Sequence, residues 1–117
     1  MENQHRKISG YRELSQAEID LMNRIKAKGA ELLQLQAELA GYLDTAEETK
    51  RYAARQSMQG KEFNGRPYTE HTGGSDECQE FRRFIAAEPK RWAAIGKTDI
   101  QTGIMALVRA VAQPSTV

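Results

Sequence analysis

Apolar residues recur at helical spacing along the first third of the chain. The stripe comprises Ile19, Met22, Ile25, Gly29, Leu32, Leu35, Leu39 and Leu43. Because this spacing places the residues on one side of a helix, it predicts an amphipathic helix. Ser15 and Glu18 form an S-x-x-E capping box just before the stripe. We therefore expect the helix to cover residues 16–41, with the polar residues 1–14 forming an N-terminal arm.

A second set of helix signals follows Gly41. Thr45 and Glu48 form another capping box, so either a new helix covers residues 46–58 or the first helix continues with a kink. Residues 59–75 combine Asn-Gly, Pro and Gly-Gly pairs, which are turn formers, and they are predicted to be a loop.

The last third of the chain predicts two more helices. A short one is expected to begin with a cap at Asp76 and Gln79 and to carry Phe81 and Phe84. Pro89 suits the first turn of a final helix that continues over residues 90–112. No strand pattern is evident. The predicted fold is all-α: one domain over residues 1–117, formed by a long helical hairpin that assembles into a homo-oligomer.

Two glycines interrupt the final helix. Gly96 and Gly103 are seven residues apart, and each costs about 1 kcal/mol relative to alanine. This cost indicates a close approach, either to another helix, which we favour, or to a ligand. The helical spacing of the apolar residues predicts that Trp92, Met22 and Met105 lie in the core.

Composition narrows the possible functions. The 117 residues are 39% apolar and 28% charged, with a net charge of +1, so a duplex-DNA binder with a strongly basic surface is not expected. Cys78 is the only cysteine, and no His, Cys, Asp or Glu cluster has metal-ligand spacing. No apolar stretch is long enough to cross a membrane. An intracellular protein without a metal or another cofactor is expected.

Two stretches resemble a known family. "ENQHRKISGYRELSQAEIDLMNRIKAKG" (residues 2–29) and "RWAAIGKTDIQTGIMALVRAVAQP" (residues 91–114) are similar to the two ends of phage anti-CBASS sponge proteins. These proteins share a helical hairpin domain with a group of Thoeris anti-defence sponges. The resemblance implies a non-catalytic hexamer in the cytoplasm of the infected bacterium. Such a hexamer would sequester cyclic dinucleotides and cyclic trinucleotides, such as 3′,3′-cyclic GMP-AMP and cyclic tri-AMP, and keep them from CBASS effectors.

The resemblance also implies site residues. The stacking tyrosine and phosphate-binding lysine of the cyclic dinucleotide pocket match Tyr11 and Lys26, and Arg91 matches an arginine of the cyclic trinucleotide pocket. Arg109 is the only charge within "MALVRAVA" and is assigned to the trinucleotide as well. Without the resemblance, we favour Tyr11 as a residue covering the helix start and Lys26 as a solvated lysine. Arg109 is then equally a partner for a glutamate of the first helix.

Residues 45–88 depart from the compact members of the family. They resemble an insertion between the two main helices and contain five arginines together with several aromatic residues. These residues either extend the helices or cap a ligand pocket, and we favour the extension. Two alternative functions remain open: a small nucleic-acid-binding regulator, and a sponge for another signal such as a Thoeris cyclic ADP-ribose.

Overall fold

A computed structural model describes residues 12–115 and is mainly helical, as predicted. Its elements are α1 (Gln16–Ser57), β1 (Glu62–Phe63), β2 (Arg66–Pro67), α2 (Asp76–Ala87) and α3 (Pro89–Ala112). The chain divides into two compact units. We call residues 37–95 the central unit, and the described residues 12–36 and 96–115 the terminal unit. No helix within residues 12–115 is long and apolar enough to cross a membrane.

The start of α1 follows from its capping box, as predicted. The Glu18 N–H donates to Ser15 Oγ at 3.2 Å, and the Ser15 N–H donates to Glu18 Oε1 at 2.9 Å. Arg12 pairs with the Glu18 carboxylate and donates from Nη2 to the Val111 carbonyl at 2.9 Å. The start of α1 is therefore tied to the end of α3 within the terminal unit.

Of the two alternatives predicted after Gly41, a new helix is wrong, whereas the first helix does continue. The helix continues for 42 residues without a break, so Thr45 and Glu48 lie in its interior and cap nothing. Leu43 packs with Phe84 and Ala93 in the central unit, and Ala46 packs against the same cluster. Tertiary packing on both sides of Thr45 therefore favours helix and overrides the local capping signal.

The loop after α1 contains a short β-hairpin that the sequence analysis did not predict. Glu62 pairs with Pro67 and Phe63 with Arg66 in an antiparallel register. Asn64 and Gly65 have positive φ angles of 53° and 77°, as the two turn residues of a tight hairpin require. The turn was predicted correctly, but strands of two residues are too short to produce an alternating pattern.

The core of the central unit consists of two small clusters. One contains Ala54, Met58, Cys78 and Phe81, with Tyr68 packed against it. The other contains Leu43, Phe84 and Ala93. A Cβ at Gly73 would lie only 2.6 Å from Met58 Cγ. The loop therefore reaches the first cluster only because residue 73 is glycine.

The two ends of α2 are set by local signals. Ser75 is the N-cap, and its side chain accepts from the Cys78 N–H at 3.0 Å; the predicted cap at Asp76 is wrong by one residue. At the other end Glu88 adopts the left-handed conformation with φ 52°. Pro89 then opens α3, as predicted, because its fixed φ suits the first helical position.

Close packing in the terminal unit occurs at a different glycine from those predicted. A Cβ at Gly29 would lie 2.6 Å from Ile104 Cγ1, whereas a Cβ at Gly96 or Gly103 would meet no described atom within 4 Å. The predicted close approach at Gly96 and Gly103 is therefore not made within residues 12–115. The predicted core position of Met105 is also wrong, because its side chain is 70% exposed.

Candidate functional site

Lys26 lies on α1 in the terminal unit, and its side chain is exposed. Among residues 12–115, its ammonium group has no ion-pair partner. The neighbouring Lys28 differs, since its Nζ atom is 3.9 Å from Glu31 Oε2. Within the described residues, Lys26 therefore presents a positive charge without an ion-pair partner, which is what a phosphate contact requires. Tyr11 lies outside the described residues, and its predicted stacking role stays a prediction.

Arg109 also belongs to the terminal unit. It is exposed in the last turn of α3, where its carbonyl accepts from the Gln113 N–H at 2.8 Å. A cation at this end of a helix is favoured by the helix dipole. This structural role is compatible with either interpretation of Arg109 from the sequence.

Arg91 lies in the first turns of α3, in the central unit. Its side chain is 58% exposed, and Nη1 is 3.9 Å from Glu88 Oε1, so this pair is weak. Its guanidinium carbon is 5.2 Å from the centroid of the Trp92 ring. Trp92 is itself 59% exposed, so the predicted core position of this tryptophan is wrong. An exposed indole and an exposed guanidinium therefore lie side by side, a combination suited to stacking and anion contact.

Most arginines of the 45–88 segment have structural partners. The carboxylate of Glu70, only 8% exposed, accepts from Arg55 Nε at 3.1 Å and from Arg55 Nη2 at 2.8 Å. Arg51 Nε lies 3.7 Å from the same carboxylate. Arg82 Nη1 donates to the Glu70 carbonyl at 3.2 Å and to the Gly73 carbonyl at 2.8 Å. The bonds from Arg55 are the main reason that the pKa of Glu70 is lowered to about 2.

These contacts fasten the loop to α1 and α2. Arg83 is similarly engaged, because Nη2 bonds Glu80 at 2.6 Å, and together with Lys50 it lowers the pKa of Glu80 to about 2. Four of the five arginines in this segment thus stabilise the central unit. The favoured interpretation of the segment as an extension of the helices stays a prediction.

Cys78 and His71 of the central unit pack against its core, although the His71 side chain is 64% exposed. Cys78 is fully buried. The His71 ring packs edge-on against Phe81, with 5.5 Å between the ring centroids. Within residues 12–115, no three His, Cys, Asp or Glu side chains are grouped so that they could hold a metal ion.

Two comparisons with known proteins identify the family of this chain. The model of the Acb2/Tad1 hairpin domain matches residues 60–112. The chain is also 63% identical over 114 residues to Anti-CBASS protein 2 of Pseudomonas phage JBD67, and the match covers 97% of both chains. The chain belongs to the Acb2/Tad1 hairpin family. The family relationship predicted from residues 2–29 and 91–114 is confirmed.

The match to the phage JBD67 protein includes the 45–88 segment. Because the match covers 97% of each chain, the phage JBD67 protein has a counterpart of this segment. The model of the Acb2/Tad1 hairpin domain begins at residue 60, inside the segment. The segment is therefore shared with at least one other member of the family.

One feature of this Acb2/Tad1 family member is not predicted by its sequence. A cleft of about 600 Å³ lies between the last turns of α1 and the β-hairpin, in the central unit. Its lining comes from residues 55–62 and 67–70, which contain no recognisable binding motif. Only the fold of the loop brings these two stretches together, so no sequence signal could have identified the cleft.

Proposed function

We propose that this protein is a phage-encoded sponge that binds cyclic dinucleotide and cyclic trinucleotide immune signals and holds them without chemical change. The observation that carries the proposal is the 63% identity, over nearly the whole of both chains, to a phage protein named Anti-CBASS protein 2. Sequestration in the cytoplasm of the infected bacterium would keep the signals from CBASS effectors.

The terminal unit supplies chemistry suited to the cyclic dinucleotide. The exposed ammonium group of Lys26 is available to pair with a phosphodiester, and charge-assisted contacts of this kind are among the stronger hydrogen bonds. Tyr11 is the proposed stacking platform for a base, which is worth about 1–3 kcal/mol per base.

The cyclic trinucleotide is assigned to a second site that uses Arg91 and Arg109. The exposed Trp92 ring beside Arg91 adds an aromatic surface to the proposed contact. A guanidinium group can contact a phosphate through two N–H groups at once. The two ligands therefore need not compete, because they use different side chains.

Homo-oligomer formation is part of the proposal, and the resemblance to the sponge family implies a hexamer. In the terminal unit Leu32, Leu35, Met105 and Leu107 are 48%, 59%, 70% and 55% exposed, respectively. Apolar surface of this extent is typical of protein contacts. A second copy covering this surface would bury it and would place ligand sites between chains.

The test is to recover the ligand after binding. The protein is mixed with 3′,3′-cyclic GMP-AMP, cyclic tri-AMP or a cyclic ADP-ribose, separated from free ligand, and then heat-denatured. We expect the first two ligands to be released intact, as measured by chromatography and mass spectrometry. A hydrolysed product would contradict the non-catalytic mechanism, and failure to retain either of these two ligands would contradict sequestration.

A further inference from the structure

The cleft at the end of α1 has the size of a small-molecule site. Its volume of about 600 Å³ lies within the range of roughly 300–1,000 Å³ typical of ligand pockets. It belongs wholly to the central unit, whereas Lys26 and Arg109 belong to the terminal unit. Its lining consists of Arg55, Gln56, Met58, Gln59, Gly60, Lys61, Glu62, Pro67, Tyr68, Thr69 and Glu70.

The charges that line the cleft cancel. The Arg55 guanidinium is paired through two hydrogen bonds with the Glu70 carboxylate. The remaining charged residues, Lys61 and Glu62, carry opposite signs. With no net charge to attract an anion or a cation, the cleft suits an uncharged ligand.

Several hydrogen-bonding groups in the lining have no partner in the described part of the chain. Gln56 and Gln59 are exposed, and neither their side-chain amides nor the hydroxyl of Tyr68 makes a hydrogen bond within residues 12–115. Each amide offers a carbonyl acceptor and two N–H donors. In other proteins, glutamine and asparagine amides recognise adenine by forming two hydrogen bonds with the donor and the acceptor on its edge.

The apolar part of the lining is held in place. Met58 is only 8% exposed and belongs to the first core cluster, and Tyr68 packs against that cluster. The Tyr68 N–H donates to the Lys61 carbonyl at 3.1 Å. This hydrogen bond joins the two stretches that line the cleft, residues 55–62 and 67–70. A fixed aromatic ring beside unpartnered amides favours a flat ligand with both donors and acceptors on its edge.

We propose that this cleft binds an uncharged, flat heterocycle of the nucleobase or nucleoside class. Gln56 and Gln59 pair with the edge of the heterocycle, and Met58 and Tyr68 contact its face. The site is separate from the proposed contacts of Lys26, Arg91 and Arg109 with cyclic nucleotides, and it does not require that those contacts exist.

The protein contains its own reporter for this site. Met58 lines the cleft, while Met22 and Met105 lie in the terminal unit. In full-length protein labelled with ¹³C at the methionine methyl groups, titration with adenosine should shift the Met58 signal saturably and leave Met22 and Met105 unchanged. Adenosine monophosphate should bind with similar affinity because the lining is neutral, and inorganic phosphate should produce no shift.

Variants make the test specific. Gln56→Ala and Gln59→Ala should each weaken adenosine binding by roughly tenfold, the equivalent of one lost hydrogen bond. Gln34→Ala is the matched control, because Gln34 is an exposed glutamine of α1, the helix that contains Gln56, and lies outside the cleft. Binding of cyclic dinucleotide, measured in parallel, should be unchanged in all three variants.

Three results would overturn the proposal. The first is the absence of a Met58 shift at millimolar adenosine. The second is an equal shift of the Met22, Met58 and Met105 signals. The third is a Met58 shift with inorganic phosphate but not with adenosine, since the cleft would then be an anion site. Loss of cyclic dinucleotide binding by Lys26→Ala, with adenosine binding retained, would confirm that the two sites are independent.

Discussion

The central and terminal units differ in how far they bury their large apolar side chains. Every buried large apolar side chain in the described part of the chain belongs to the central unit, including Phe81 and Phe84. In the terminal unit the one buried residue among those described is Gly29, and leucines such as Leu35 are exposed. The central unit has a closed core together with exposed apolar side chains such as Trp92, whereas the described part of the terminal unit buries no large apolar side chain.

This difference indicates a division of roles. The central unit is fastened by ion pairs around Glu70 and by a core that a short helix and a loop complete. The terminal unit contains Lys26 and Arg109, two of the proposed ligand contacts, together with exposed leucines. We therefore expect stability to depend on the central unit, and ligand binding and assembly to depend mainly on the terminal unit.

The largest effect on stability should come from the core of the central unit. Phe81 is fully buried, so Phe81→Ala should lower the free energy of unfolding by about 3–5 kcal/mol. Leu21→Ala, at a 46% exposed position of the terminal unit, should cost less than half as much. Urea denaturation followed by circular dichroism measures both, and equal losses would contradict the contrast between the units.

A smaller loss should follow removal of the Glu70 charge. Glu70→Gln weakens the bonds from Arg55 and should lower the free energy of unfolding by about 2 kcal/mol at neutral pH. Glu62→Gln, on the exposed hairpin, is the control and should have little effect. A urea midpoint that is the same for both variants would show that the loop is held by other contacts.

The same carboxylate predicts a pH dependence. The pKa of Glu70 is about 2 in the folded chain against an ordinary 4.5. As the pH falls from 4.5 towards 2, the unfolded chain binds a proton that the folded chain does not, so stability decreases. In Glu70→Gln this part of the acid destabilisation should be absent, and an unchanged slope of stability against pH would contradict it.

Within the terminal unit, the glycine contact should have a moderate effect. Gly29→Ala places a Cβ against Ile104 and should cost about 1–2 kcal/mol despite the better helix propensity of alanine. Gly41→Ala is the matched control on α1, because a Cβ there meets nothing within 4 Å. It should stabilise the protein by up to about 1 kcal/mol. Stabilisation by both substitutions would show that α1 and α3 do not depend on this contact.

The smallest effect on folding should accompany a large effect on assembly. Leu35 is 59% exposed, so Leu35→Glu should change the stability of one chain by about 0.5 kcal/mol or less. In the proposed oligomer the new charge would be buried between copies, and the mass from light scattering should fall. Gln34→Glu is the control. A variant that keeps the parent's mass would place the contact between copies elsewhere.

Signals confined to a few residues predicted the fold well. The capping box at Ser15 and the proline at the start of α3 place both helix starts correctly, because each acts through adjacent backbone groups. The box at Thr45 failed because packing of Leu43 and Ala46 against the core of the central unit outweighs a local cap.

Long-range features were beyond the sequence. Gly96 and Gly103 are unfavourable in a helix, but the sequence does not specify which group, if any, packs against them. The cleft beside Tyr68 forms from two separate stretches, and the burial of Glu70 depends on arginines from two helices. Of the predicted site residues, Lys26, Arg91 and Arg109 are all exposed, and their roles with ligand stay predictions, as does that of Tyr11.

The most direct test of the proposed function is calorimetry of cyclic dinucleotide binding to Lys26→Ala. Lys28→Ala is the matched control, since Lys28 is also an exposed lysine of α1 but lies beside Glu31. We expect Lys26→Ala to weaken binding of 3′,3′-cyclic GMP-AMP by at least about tenfold. Cyclic tri-AMP binding and the helical content should be retained, and Lys28→Ala should bind like the parent protein. Parent-like cyclic dinucleotide binding by Lys26→Ala would contradict the assignment of the phosphate contact to this residue.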